Sequence, residues 1–137
     1  MSSSPSSRRF DVVFCDIDGC LGPESSGALD VASLAKVAEH NRRAQEHRDR
    51  PVVTLCTGRP QPFAEAMTKL IGNTTVPLVA ENGVWVYDPA ANAYLMDPAI
   101  TREHRAAVRD AAAWLESEFS PSGVTQQPGK AASISLY

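Results

Sequence analysis

Two aspartates stand two residues apart, directly after the short apolar run of residues 11–15. The carboxylates of Asp16 and Asp18 supply hard oxygen atoms of the kind that Mg²⁺ prefers. An ionised carboxylate can also attack phosphorus as a nucleophile. Gly19 follows at once and lets the chain turn sharply beside a ligand. The pattern predicts metal-assisted phosphoryl chemistry, and the simpler alternative is an Asp-Gly turn after a strand.

A second polar cluster, Thr57-Gly58-Arg59, follows the apolar run of residues 51–56. Thr57 precedes a predicted helix, where free backbone amides point toward any bound anion. Thr57 can also serve simply as the helix N-cap. Two roles stay open for Arg59, which are contact with a substrate and a surface ion pair.

A third cluster, Glu81-Asn82-Gly83, follows the apolar run of residues 76–80. The Asn-Gly pair predicts a turn with positive φ, whatever else the cluster does. Each of the three clusters therefore stands just after a run that reads as a strand.

The spacing of apolar residues predicts the strands and helices that position these three clusters. Short apolar runs predict buried strands, an alternating pair of runs predicts a hairpin, and a period near 3.6 predicts helices. The predicted strands cover 11–15, 51–56, 76–80 and 131–137, the hairpin 84–87 and 93–96, and the helices 29–47, 60–71 and 101–119.

Strands that alternate with helices favour an α/β fold with a Rossmann-like parallel sheet and helices on both faces. Right-handed crossovers place the first three strands in one sheet with their carboxyl ends at one edge. Ligands of such sheets bind at that edge. We therefore expect the three polar clusters to meet on a single rim.

The run of residues 14–21, Phe-Cys-Asp-Ile-Asp-Gly-Cys-Leu, resembles the first motif of the haloacid dehalogenase superfamily. The resemblance implies that Asp16 is the catalytic nucleophile and a Mg²⁺ ligand. It implies that Asp18 is the catalytic general acid, with its backbone carbonyl on the metal. Cys20 stands where the family usually has Thr, which removes one hydroxyl from the loop.

The other two clusters extend the resemblance. Thr57-Gly58-Arg59 is similar to the second motif, and Asn82 lies in a turn like that of the large-cap, Cof-like and sugar-phosphate phosphatases. The resemblance implies that Thr57, Gly58, Arg59 and Asn82 bind the substrate.

The resemblance also implies a domain division: a disordered leader over 1–9, the first part of the core over 10–97, and the beginning of an α+β cap over 98–137. The family's later lysine and acidic pair have no counterpart in the sequence. Lys130 does not match that lysine, because a strand-like run follows it instead of a helix. We therefore expect an N-terminal fragment whose exposed apolar edges favour self-association.

The expected function is Mg²⁺-dependent hydrolysis of a small sugar or organic-acid phosphate through an aspartyl-phosphate. A phosphomutase of the same superfamily and a non-catalytic fragment that binds Mg²⁺ or phosphate remain alternatives. The net charge of −3 over 137 residues gives no reason to expect nucleic acid or a membrane as partner. Three cysteines without a CxxC pair favour a cytoplasmic setting, with Cys15 and Cys56 buried.

Overall fold

A computed structural model describes residues 10–24 and 26–137, so the predicted leader over 1–9 lies outside the described residues. The α/β class expected from the sequence is confirmed. Within these described residues there are five strands, three helices and two short 3₁₀ turns, namely β1 (Val12–Cys15), α1 (Val31–His47), β2 (Val52–Leu55), α2 (Gln61–Leu70), β3 (Leu78–Ala80), the turn Glu81–Gly83, β4 (Trp85–Asp88), β5 (Ala93–Met96), α3 (Arg102–Phe119) and the turn Ser120–Ser122.

The strands β1 and β2 form a parallel pair that runs from Val12↔Val52 to Cys15↔Leu55. Helix α1 makes the crossover between them. It begins at Asp30, whose Oδ1 accepts hydrogen bonds from two first-turn amides at 3.1 and 3.2 Å. Such a cap satisfies amides that have no partner inside the helix. The crossover brings the ends of β1 and β2 to the same edge.

Strand β3 joins two sheets. A single parallel bridge, Cys56↔Val79, links it to the end of β2, while β3, β4 and β5 form an antiparallel sheet. The strand is shorter than the predicted 76–80 because Pro77 has no amide proton for a ladder. The side-chain hydroxyl of Thr54 donates instead to the carbonyl of Pro77 at 3.0 Å. The predicted hairpin is confirmed as β4 and β5.

Helices α1 and α2 contact each other and bury side chains in one shared core. Two successive right-handed crossovers in the same direction place both helices on the same face of the strands. The expected second helical layer is therefore not formed by α1 or α2. The largest side chains of the core come from both helices and from the strands and loops between them, namely Ile17, Leu34, Leu55, Met67, Ile71, Leu78 and Tyr87.

A buried polar residue, Asn41, fastens α1 to its neighbours. Its Nδ2 donates to the carbonyls of Val53 and Ile71 at 2.9 and 2.8 Å, and its Oδ1 accepts from the amide of Val53 at 2.8 Å. Full hydrogen bonding is what makes a buried amide side chain tolerable. Asn41 thereby fixes the position of α1 relative to β2.

The region after β5 is built differently. Helix α3 has no buried residue, and the strand predicted over 131–137 does not form. Residues 125–127 and 135–137 lie antiparallel, joined by three main-chain hydrogen bonds of 2.9–3.0 Å around the isolated bridge Gln126↔Leu136. The amides of residues 131–133 bond to the side chain of Glu81, so they cannot join a ladder.

The prediction that Cys56 is buried was wrong, and Cys15 is only half-buried. Leu55 and Thr57 point into the core, so the residue between them points to the opposite side of the strand. Among the described helices, none is long and apolar enough to cross a membrane.

Candidate active site

The three polar clusters meet at one rim. The amide of Cys56 donates to the carbonyl of Cys15 at 3.0 Å, which places Asp16 and Thr57 side by side just beyond the parallel pair. The amide of Thr57 donates to Val79 at 3.0 Å, and the amide of Asn82 donates to the Thr57 carbonyl at 3.2 Å. Main-chain hydrogen bonds therefore join the second and third clusters directly, and the bond between Cys56 and Cys15 holds the first cluster beside the second.

Asp16 presents its carboxylate at the exposed side of the rim. The side chain between the two aspartates, Ile17, is 2% exposed and anchors the loop in the core. Because neighbouring side chains of an extended segment point to opposite sides, Asp16 and Asp18 both face outward. Oδ1 of Asp16 accepts the amide of Ile17 at 2.7 Å, which fixes the orientation of the carboxylate.

The loop after Asp16 is a tight turn around one carbonyl. The amides of Cys20, Leu21 and Gly22 converge on the carbonyl of Ile17 at 3.2, 3.0 and 2.8 Å. Gly19 has a φ of 74°, which a residue with a side chain adopts only at a cost. The turn keeps Asp18 next to the rim.

Asp18 and Arg59 form a two-pronged ion pair. Nε and Nη2 of Arg59 donate to the two carboxylate oxygens at 2.8 and 2.5 Å. These hydrogen bonds lower the pKa of Asp18 and raise that of Arg59. The guanidinium also lies over the ring of Phe63, 5.2 Å from its centroid. The ion-pair role considered for Arg59 is thus the one present, with Asp18 as the partner.

The site has a floor beside the aspartates, which is formed by Thr57, Gly58 and Asn82. Thr57 is buried, and its Oγ1 accepts the amide of Arg59 at 3.2 Å. A Cβ at Gly58 would lie 2.9 Å from Oδ1 of Asn82, so a larger residue there would require the Asn82 side chain to shift. Asn82 has a φ of 56°, and the predicted positive-φ turn is confirmed.

Sequence reasoning did not assign a role to Glu81, which the structure makes central. Its side chain is 0% exposed, and its backbone φ is 52°. Oε1 accepts the amides of Ala131, Ala132 and Ser133 at 2.7, 2.7 and 3.0 Å. Its amide donates to the carbonyl of Arg59 at 3.0 Å. The only signal in the sequence was an acidic residue at the end of a buried strand, where a charge needs a partner.

The rim fits Mg²⁺ in part. Asp16 offers a carboxylate at the exposed side, whereas both oxygens of Asp18 are engaged by Arg59. Within residues 10–24 and 26–137, no group of three or more acidic, histidine or cysteine side chains could hold a metal ion. Mg²⁺ often takes one or two carboxylates and completes its shell with waters and substrate phosphate. The residues present suit that incomplete kind of site.

Two small cavities adjoin the guanidinium of Arg59. One of about 360 Å³ lies toward the loop of Gly22 and includes Tyr137 in its wall. The other, of about 340 Å³, lies between Phe63 and residues 127–129. A larger cavity of about 840 Å³ lies between α1 and α2, away from the aspartates. Neither of the smaller cavities is lined by Asp16, Asp18 or Thr57, and both adjoin the candidate site through Arg59.

In sequence comparison, the chain matches no described protein family and no curated protein. Its fold is similar to that of a hypothetical protein from Geobacillus kaustophilus HTA426, with a TM-score of 0.51 and 24% identity over 92% of this chain. It is also similar to a haloacid dehalogenase-like hydrolase from B. subtilis, with a TM-score of 0.50 and 26% identity over 80% of this chain. The alignments span 42% and 34% of those two proteins.

The chain therefore has a haloacid dehalogenase-like α/β fold of the Rossmann type. The structural similarity extends to a hydrolase of that class.

Proposed function

We propose that the protein hydrolyses small phosphomonoesters, such as sugar or organic-acid phosphates, with Asp16 as the nucleophile. Asp16 attacks phosphorus, the bond to the leaving oxygen breaks, and Asp18 gives that oxygen a proton. Water then attacks the aspartyl-phosphate and returns a proton to Asp18. Phosphate leaves, and both carboxyl groups regain their starting forms.

One observation carries this proposal. An exposed carboxylate at a strand end is surrounded on the same rim by a second carboxylate, a guanidinium and the Thr57–Asn82 floor. Thr57, Gly58, Arg59 and Asn82 are then the groups that bind the phosphoryl oxygens. Phosphoryl transfer depends mainly on such positioning and on stabilisation of charge.

Asp18 can act as an acid only after a change at the ion pair. Hydrogen bonds from Arg59 lower its pKa, so the free protein holds Asp18 ionised. A phosphate that draws the guanidinium toward itself would remove this effect, and the negative charge of the phosphate beside Asp18 would then favour uptake of a proton from solvent. Arg59 would thus couple substrate binding to the protonation of Asp18.

Mg²⁺ would be held by the Asp16 carboxylate and the backbone carbonyl of Asp18, as the resemblance of this loop implies. Bound there, it would offset the negative charge of the phosphoryl group. Residues 98–137 would form the beginning of a cap, which agrees with the lack of buried residues in α3.

The test is phosphate release by the full-length gene product from a panel of sugar and organic-acid phosphates, with and without Mg²⁺. We expect Asp16→Asn to reduce the rate by about a thousandfold or more, because the amide is no nucleophile. Asp110→Asn makes the same chemical change on the exposed side of α3 and should leave the rate unchanged.

Activity that persists in Asp16→Asn would contradict the mechanism. Product analysis separates hydrolysis from a phosphomutase reaction, which moves phosphate and releases little of it.

A non-catalytic role in binding Mg²⁺ or phosphate has one observation in its favour, since Arg59 occupies both oxygens of Asp18. Saturable Mg²⁺ binding without turnover by the full-length gene product would support that role instead.

A further inference from the structure

We propose that the cavity of about 360 Å³ beside Arg59 receives the leaving group of the substrate, and that Phe63 and Tyr137 select a leaving group with the apolar face of a ring. We call this cavity the leaving-group cavity. The inference rests on the proposed function and deepens it, because it favours ring-shaped alcohols, such as sugars, over short carboxylated ones.

The leaving-group cavity lies next to the two aspartates, although neither of them lines it. Ile17, the residue between Asp16 and Asp18, forms part of its wall. Arg59 forms another part, and Nε of this side chain donates to Oδ2 of Asp18 at 2.8 Å. A leaving group on a phosphoryl group at Asp16 would therefore extend past Asp18 into the cavity. Protonation of the leaving oxygen by Asp18 requires this direction.

Most of the wall is apolar side chain or glycine backbone. Phe63 and Tyr137 supply two aromatic rings, and Leu29 supplies an aliphatic surface. A Cβ at Gly22 would lie 2.7 Å from Cδ2 of Leu29, so these two residues are in close contact. Aromatic walls favour the flat apolar face of a ring. The volume is at the lower end of the range for ligand pockets, which suits a single ring.

Phe63 stands in the first turn of α2 and is held there by two contacts. Its amide donates to the carbonyl of Pro60 at 3.1 Å, and the guanidinium of Arg59 lies over its ring. The side chain nevertheless stays 39% exposed. A ring that is fixed in position and still exposed can be covered by a ligand at a small cost in conformational entropy.

Tyr137 reaches the same cavity from the other end of the chain. Residues 135–137 lie antiparallel to residues 125–127, and the amide and carbonyl of Tyr137 both bond to Thr125, at 2.9 and 3.0 Å. Its side chain is 62% exposed. The two rings therefore come from separate elements and share this cavity.

The charges at the cavity disfavour a leaving group that carries a carboxylate. Among the described residues of its wall, Arg59 is the only lysine or arginine. Nε and Nη2 of Arg59 bond to Asp18, and the proposed function assigns the guanidinium to the phosphoryl group. A second anion would therefore lie near the carboxylate of Asp18 without a cation of its own, which is costly.

The experiment measures kcat/KM of the full-length gene product, with Mg²⁺ present, for benzyl phosphate, ethyl phosphate and phosphoglycolate. The three leaving groups are primary alcohols, of which only the first carries a ring and only the last a carboxylate. We expect the value for benzyl phosphate to exceed both others by about tenfold or more, because a ring buries apolar area. An equal or higher value for either of the others would overturn the inference.

Variants of the wall test the two aromatic residues. Phe63→Ala should lower kcat/KM by about tenfold for benzyl phosphate and by less than about twofold for ethyl phosphate. Tyr137→Ala should act in the same sense, and the exposure of Tyr137 means that this variant keeps the fold. Phe119→Ala removes the same ring from a comparably exposed position, 40% on α3, and should change neither value.

The ratio of the two substrates separates selection from support of Arg59. An equal loss with both substrates in Phe63→Ala would mean that the ring acts only through the guanidinium, and it would overturn the role of Phe63 in selectivity. Values for benzyl phosphate that stay unchanged in both variants would show that the leaving group lies elsewhere.

Failure of this inference is distinct from failure of the proposed function. Titration calorimetry measures the binding of phenethylphosphonate and propylphosphonate, in which a methylene group replaces the bridging oxygen and prevents hydrolysis. Tighter binding of the phenyl compound, lost in Phe63→Ala, in a protein that hydrolyses nothing keeps the cavity and rejects the hydrolase. Equal binding of both phosphonates to an active enzyme keeps the hydrolase and overturns the cavity.

Discussion

Two regions of this chain are held together in different ways. Residues 10–97 bury a continuous apolar core in which Ile17, Leu55 and Leu78 are almost fully shielded from solvent. Residues 98–137 bury none of the side chains of α3 and attach to the first region through the carboxylate of Glu81. The first region is stabilised mainly by apolar burial, and the second is fastened by polar contacts.

The difference matters because both regions reach the same rim. The aspartates and Thr57 stand on strand ends that the core fixes, whereas the loop of residues 131–133 depends on hydrogen bonds to Glu81. Loops held by few buried contacts open more easily than the elements of a core. We therefore expect Asp16 to be rigid and the loop of residues 131–133 to be the more adjustable part of the rim.

The largest effect should come from the core. Leu55→Ala removes a fully buried side chain, and we expect the free energy of unfolding to fall by about 2–5 kcal/mol. Urea denaturation followed by circular dichroism measures it. Leu95→Ala changes the same residue type at an exposed position of β5 and should alter stability by less than about 0.5 kcal/mol. Similar losses in the two variants would disprove the assignment of the core.

An intermediate and local effect should come from the junction. Glu81→Ala leaves the amides of 131–133 without their acceptor, and we expect a cost of about 1–3 kcal/mol. Hydrogen exchange should accelerate by about tenfold or more at these amides. Exchange at β1 and β2 should change far less. Uniform acceleration across the chain would show that the junction and the core unfold together.

The smallest effect should come from α3. Trp114 packs edge-to-face on Phe119 with ring centroids 5.9 Å apart, yet it remains 56% exposed. We expect Trp114→Ala to change the free energy of unfolding by less than about 1 kcal/mol. A larger loss in urea denaturation would mean that α3 belongs to the same cooperative unit as the core, and the contrast between the regions would disappear.

Local patterns predicted most of the elements well. The spacing of apolar residues located α1, α2 and α3 to within two residues, and the Asn-Gly pair located the positive-φ turn at Asn82. These features depend on neighbours in the chain, so the sequence contains what is needed to find them. No strand formed over 131–137 for the opposite reason, because the amides of residues 131–133 bond to Glu81, fifty or more residues away, and only residues 135–137 make antiparallel main-chain hydrogen bonds.

The sequence by itself determined the α/β alternation and the placement of Asp16, Thr57 and Asn82 just after strands, because periodicity and strand ends are local properties. Only the tertiary structure decided that Arg59 pairs with Asp18 and that Glu81 accepts hydrogen bonds from the loop of residues 131–133. Such contacts join residues far apart in sequence, and a charged side chain bonds to whichever partner the fold brings within reach.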